Sequence, residues 1–283
     1  MNQVKLYSKN NIMQKTDATY LLDNYLRLVK FKKSEKEKFF DIGSGDGSVT
    51  MELLLPRIPE NFAKFVGCDI SEDMVKFSKS KVVDPRIDFV ILDIENNSLP
   101  IKMVNEFDHV FSFYCLHWIQ NQKQAFQNIY NMMAPGGDLL TIFLASNPIY
   151  DIYESMAANE KWLPYMKNFK SYISPYHFYD QPLKELEKIL KEAGFSIHLC
   201  RLENRNFTFN SLDVMERATK AVNPFLENIP EDKLENYLND FVEEVRKLNS
   251  ARIINGNNNN NNEGRVYFTY KLFVVFASKP DKN

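Results

Sequence analysis

The stretch FFDIGSGDGSVT, residues 39–50, constrains this chain more than any other. Glycines recur there at 43, 45 and 47, behind an apolar run that ends in an acid. The chain of 283 residues holds nine glycines, so three within five positions mark a backbone that must turn tightly. A glycine turn between a strand and a helix is how open α/β sheets bring backbone against a charged small molecule.

The surrounding pattern agrees. Strand signals read KFFDI (38–42), KFVGCDI (64–70), RIDFVIL (86–92), FDHVFSF (107–113), DLLTIFL (138–144) and FSIHLCRL (195–202). Helical patterns alternate with them: DGSVTMELLL after the glycines, SEDMVKFSKSK with Ser71 as N-cap, QKQAFQNIYNMM, and PLKELEKILKEAG between Pro182 and Gly194. Consecutive apolar residues in several strands suit a sheet covered by helices on both faces. The expected fold is a doubly wound, mostly parallel α/β sheet with an antiparallel last strand, VYFTYKLFVVFA (266–277), closing its edge.

One domain, 1–283, is expected, with parts that differ in role. Residues 1–37 supply a lid through an amphipathic helix at 11–30, and 38–144 form the ligand-binding core. Residues 145–180 and 204–250 read as aromatic and helical cap insertions, and 265–279 as the C-terminal strand. The tract NGNNNNNNEG, 255–264, has no core-forming residue and reads as a mobile loop.

Composition excludes several classes. A net charge of −2 gives no basic field for nucleic acid. Cys68, Cys115 and Cys200 form no CxxC pair and suit a reducing compartment. The N-terminus lacks a signal-peptide core, and no apolar run reaches a membrane span, so a cytoplasmic protein is expected.

The turn itself discriminates among ligands. A dinucleotide fingerprint needs a third glycine where Ser48 stands, and a phosphate loop needs Lys-Ser/Thr where Ser48-Val49 stands. The form D-x-G-x-G-x-G, starting at Asp41, resembles the first motif of class I S-adenosylmethionine-dependent methyltransferases. On that reading the helix after the turn points its positive end at the cofactor carboxylate. Asp69, ending the second strand, is suited to accept from both ribose hydroxyls, and Ile70 to pack on adenine. Asp93 and Ile94, ending the third strand, would meet the adenine edge.

The segment SFYCLHWIQN (112–121) and the helix carrying NIMQKTDA narrow the resemblance to juvenile hormone acid O-methyltransferases, which esterify sesquiterpenoid acids such as farnesoic acid. The likeness runs through roughly the first half of the chain. It implies that Gln14 and Trp118 hold the substrate carboxylate, with Tyr114 and His117 beside them. It also implies that Asp41, Gly43, Ser44, Gly45 and Ser112 join Asp69, Ile70, Asp93 and Ile94 around S-adenosylmethionine, which leaves as S-adenosylhomocysteine. No metal is implied. A carboxylic acid is ionised at neutral pH, so no general base is needed, and His117 reads as a packing neighbour or donor.

The cap residues Ile149, Tyr150, Tyr153, Trp162, Tyr165, Met166, Phe169 and Tyr172, with Met215, Val222, Phe225 and Leu226, are expected to form mainly the cap's own core. A subset would line an apolar acceptor pocket. Three other readings stay open at this level: a methyltransferase for another small or fatty acid, an inactive cofactor-binding regulatory subunit, and a nicotinamide dehydrogenase. A homodimer is likewise left open.

Overall fold

The computed structural model describes residues 4–32, 36–254 and 264–281; residues 255–263 of the asparagine tract lie outside the described residues. Elements run α1 (Val4–Asn10), α2 (Ile12–Tyr25), β1 (Lys38–Ile42), β2 (Lys64–Asp69), α3 (Glu72–Lys79) and β3 (Ile87–Ile91). They continue through β4 (Phe107–Phe113), α4 (Gln122–Met132), β5 (Met133–Ser146), α5 (Pro148–Ala158), α6 (Pro182–Ala193) and β6 (Ser196–Phe209). The chain finishes with α7 (Leu212–Val222), α8 (Glu231–Lys247), β7 (Ala251–Ile254) and β8 (Arg265–Ser278). No described helix is long and apolar enough to cross a membrane.

The sheet order is β3-β2-β1-β4-β5-β8-β6, parallel except for β8. Strand order reverses between β1 and β4, and the crevice beyond their C-terminal ends is where open α/β sheets bind ligands. Alternate side chains of one strand feed two cores. Phe39 joins Phe65, Phe111 and Leu140 on one face, while Phe40 joins Val66, Val110 and Leu139 on the other. Ser71 caps α3 by accepting from Met74 N, and Gly194 ends α6 in the left-handed region.

Three expectations are corrected, and two unforeseen elements appear. The antiparallel last strand does not close the edge: β8 lies between β5 and β6, with β6 outermost. Residues 204–209 belong to β6 rather than to a cap insertion, because they pair in register with 266–271 of β8. The segment after the glycines is a six-residue π-helical stretch, Val49–Leu54, cut short next to Pro56, which has no N–H to continue it. Finally, α1 and β7 are elements that carry no clear sequence signal.

β8 is 14 residues long, and only its second half pairs with β5. Its first half, with β7 on one side and the end of β6 on the other, therefore continues past the C-terminal end of β5. This extension raises a wall over the ligand face, presenting Phe209 and Phe268. Against it stand α2, α5 and α7.

At the opposite end of the sheet, His109 is buried between two carboxylates. Its Nδ1 lies 2.8 Å from Asp138 Oδ1 and its Nε2 3.1 Å from Glu37 Oε1, the latter too poorly aligned to be a hydrogen bond. Burial pulls the imidazole pKa down, but Asp138 and Glu37 together outweigh it and raise it above the usual value. Stability from this pair is therefore complete below the unfolded pKa of about 6.5 and is lost as pH rises through the folded one. Urea unfolding across that window should show a decline that His109→Gln removes.

Candidate active site

The glycine turn lies at the C-terminal tip of β1, and its glycines all have positive φ: 69° at Gly43, 55° at Gly45 and 75° at Gly47. Gly43 is also the point of closest approach. A Cβ there would stand 2.2 Å from both Cβ and Sγ of Cys115, in the loop after β4. The turn holds its shape internally. Ser44 N donates to Cys68 O, Gly47 N to Ser44 O, Gly45 N to Asp69 Oδ2 and Ser48 N to Asp46 Oδ1. Those amides are engaged, and the following helical stretch is short. The expected presentation of a long helix's positive end to a cofactor carboxylate is not what this turn offers.

Beside the turn opens a cleft of about 330 Å³, lined by Gly43, Gly45, Asp69, Ile70, Asp93 and Ile94 among others. Sequence reasoning had grouped these six residues, and the fold brings them together. Asp69 takes one backbone N–H on each oxygen, from Gly45 and from Ser71. Each oxygen keeps lone-pair capacity for a hydroxyl. Burial raises the Asp69 pKa, opposed by those backbone bonds. Ile70 is 69% exposed, an apolar side chain held at the rim. Asp93 Oδ1 accepts from Glu95 N, which fixes the turn there.

Asp41, Ser44 and Ser112 sit behind the cleft wall. Ser44 Oγ donates to Cys68 O and Ser112 Oγ to Ile42 O, so both hydroxyls brace strand tips rather than face the cleft. Asp41 is different. Its Oδ2 accepts from Thr50 Oγ1 at 2.5 Å, whereas its Oδ1 is buried without a partner. Burial raises its pKa to about 7, with the Thr50 bond opposing and Asp69 adding to the rise.

A second, narrow chamber of about 80 Å³ lies between α2, α5, α7 and the strand extension. Met13, Leu144, Ile149, Phe209, Ala218 and Phe268 make it apolar, and no charged side chain lines it among the described residues. The two spaces share four wall residues: Tyr7, Tyr114, Trp118 and Val222. Gln14, on α2, and Trp118 both line the second chamber. Neither the Gln14 amide nor the Trp118 indole N–H has a hydrogen-bond partner among the described residues. Two neutral donors therefore stand free near the junction.

His117 and Tyr114 line this chamber, but their chemistry is already fixed. Burial drives the His117 pKa down to about 3. Its Nδ1 accepts from Leu144 N at 3.4 Å, which assigns the proton of the neutral ring to Nε2. Tyr114 donates its hydroxyl to Asp17 and holds a positive φ of 57°. Its ring forms wall, and its hydroxyl is not free for a ligand.

Of the cap residues, Ile149 and Tyr150 reach the second chamber, Val222 reaches both spaces, and Tyr172 reaches the first. Tyr153, Trp162, Met166, Met215 and Phe225 are buried with Tyr237 and Phe241 in a core continuous with one face of the sheet, so the cap has no separate core of its own. Sequence reasoning missed Tyr7. It lies on the seven-residue α1, and its ring edge is 3.6 Å from where a Gly45 Cβ would be.

Comparison with known proteins gives the family and the fold. Residues 40–141 match the family described as a methyltransferase domain. Over 280 residues the chain is 40% identical to a juvenile hormone acid O-methyltransferase of Bombyx mori, covering 99% of this chain and 98% of that one. A protein of the same description from Drosophila melanogaster is 38% identical over 282 residues, covering 99% and 93%. Among solved structures, the YcgJ protein from Bacillus subtilis superposes with a TM-score of 0.60 at 12% identity, covering 93% of this chain and 99% of that one. The phosphoethanolamine N-methyltransferase 2 of Haemonchus contortus, bound to phosphomonomethylethanolamine and S-adenosylhomocysteine, gives 0.54 at 19% identity, covering 98% and 57%.

Proposed function

Since the chain belongs to the juvenile hormone acid O-methyltransferases, a family of S-adenosylmethionine-dependent enzymes, we propose that it esterifies a sesquiterpenoid carboxylic acid where its two chambers meet. The observation that carries this reading is the uncharged second chamber, with the free donors of Gln14 and Trp118 beside the wall shared with the cleft.

The cleft suits S-adenosylmethionine, which supplies an electrophilic methyl group on a sulfonium. Asp69 would accept from the ribose hydroxyls and Ile70 would cover the adenine. Asp41, behind the cleft wall with its Oδ1 unpartnered, would favour a positively charged amino group in the cleft through its field rather than by direct contact. Asp69→Ala should raise the donor concentration needed for half-maximal rate by about 10-fold or more while leaving the acid KM unchanged. Equal donor requirements in the two proteins would remove Asp69 from the ribose.

Asp41 gives donor binding a proton signature. With a pKa near 7 the acid is partly protonated at neutrality, and a cation bound beside it expels that proton. Donor affinity should therefore rise with pH through about 7, with protons released in calorimetry. Asp41→Asn should abolish the release.

On the acceptor side the chain's work is aim. Gln14 and Trp118 hold one carboxylate oxygen as neutral donors, leaving the other free to attack. A cation in their place would hold the anion harder and damp its nucleophilicity. No proton has to be removed, which fits a His117 that is neutral and internally bonded. An apolar chamber favours a reaction in which anion and cation neutralise each other, and Phe209 and Phe268 exclude water from it.

The alternative of a polycarboxylate acceptor lacks the cationic wall it would need. Incubation with S-adenosylmethionine and a panel of terpenoid, fatty and polycarboxylic acids, followed by mass spectrometry, should yield terpenoid methyl ester. Ester from other acids alone would overturn the assignment.

A further inference from the structure

The residue that fixes the acceptor clamp lies outside both chambers. Asp17 is fully buried on α2, one turn after Gln14. Its Oδ1 accepts from Arg205 Nε at 3.1 Å and Nη2 at 2.8 Å. Its Oδ2 accepts from the hydroxyls of Tyr114 and of Tyr270, the latter at 2.7 Å. All its bonding capacity is thus met by three elements: β6, β8 and the loop after β4.

Glu203, two residues before Arg205, repeats the arrangement in reverse. It accepts from the hydroxyls of Tyr20 and Tyr25 on α2. The Arg205 guanidinium carbon also lies 3.8 Å from the centre of the Tyr20 ring. Two carboxylate nodes therefore tie α2 to β6.

A well-packed apolar residue at a buried ion-pair position is commonly as stabilising, so the pair's contribution is directional. Here the direction is specific. Asp17 joins the helix that carries Gln14 to Tyr114, whose left-handed backbone begins the loop that carries Trp118. The node thus links the element that carries Gln14 to the loop that carries Trp118.

We infer that Asp17 is a positioning residue for carboxylate methylation, acting through Gln14 and the Tyr114–Trp118 loop without touching either ligand. The inference rests on the acid-methylating reading above. Its test is a double-mutant cycle, with rates expressed per protein competent to bind S-adenosylhomocysteine. Asp17→Asn should lower kcat/KM for the acid about 10-fold or more, because small misplacements in a reactive pair are costly. In a Gln14→Ala background the same change should cost a clearly smaller factor, since one of the two donors it positions is gone and only Trp118 remains. Donor affinity should fall by a much smaller factor than kcat/KM for the acid throughout.

Losses of equal factor in both backgrounds, or no loss in either, would make Asp17 merely structural and overturn the inference. If Asp17→Asn does not fold, Tyr270→Phe replaces it in the cycle, because Tyr270 lines neither chamber yet donates to the same oxygen. An unmodified protein that esterifies no acid would bring down the reading of function and this inference together. An active one with multiplying losses brings down the inference alone.

Discussion

Gly43→Ala is expected to abolish methyl transfer by closing the donor cleft. The position has a φ of 69°, which costs an L-residue roughly 1–2 kcal/mol. The larger penalty is steric, since the new Cβ would lie 2.2 Å from both Cβ and Sγ of Cys115. Carbon atoms prefer about 3.5–4.0 Å, so the turn or the loop after β4 must move. Cys115 and Gly43 both line the cleft, so either movement reshapes the donor site. Donor affinity should fall by at least about 100-fold. Cys115→Gly in the same protein removes both overlapping atoms and leaves only Cα, at 3.6 Å. Partial recovery of donor binding in that double variant, by calorimetry, separates the overlap from the backbone strain.

Removing the acceptor clamp should be nearly as severe, with a different kinetic signature. A hydrogen bond to a charged group contributes about 1.5–3 kcal/mol, so Gln14→Ala should lower kcat/KM for the acid by roughly 10- to 150-fold. Trp118→Phe, which keeps a ring in the shared wall but loses the N–H, should fall in the same range. Donor affinity should survive in the Gln14 variant, because Gln14 lines only the acceptor chamber. Gln14→Arg offers the sharper contrast. The added charge should lower KM for the acid and lower kcat as well, because the ground-state anion is stabilised more than the transition state. Steady-state kinetics of ester formation decides each case.

The donor site was legible because its requirements are backbone requirements. Glycine is favoured at the positive φ of positions 43, 45 and 47, and strand-end acids follow apolar runs that only a sheet explains. The acceptor chamber was legible only through resemblance. A glutamine on a helix and a tryptophan in a loop have no pattern that places them together. Tyr7 escaped because α1 is a single short helix with few apolar residues. Phe209 and Phe268 escaped for a different reason. Their place on the wall depends on how far β6 and β8 run past β5, and pairing register between distant strands is not written in local propensity. The Asp17 node is hidden in the same way. Its partners Tyr114, Arg205 and Tyr270 lie 97, 188 and 253 residues away along the chain.

A crystal structure with S-adenosylhomocysteine and farnesoic acid bound together tests the two-chamber arrangement most directly. The expected density has the ribose on Asp69, the acid tail between Phe209 and Phe268, and the carboxylate on Gln14 and Trp118, facing the sulfur past Tyr114. An acid bound elsewhere, or a carboxylate turned away from the shared wall, would contradict it.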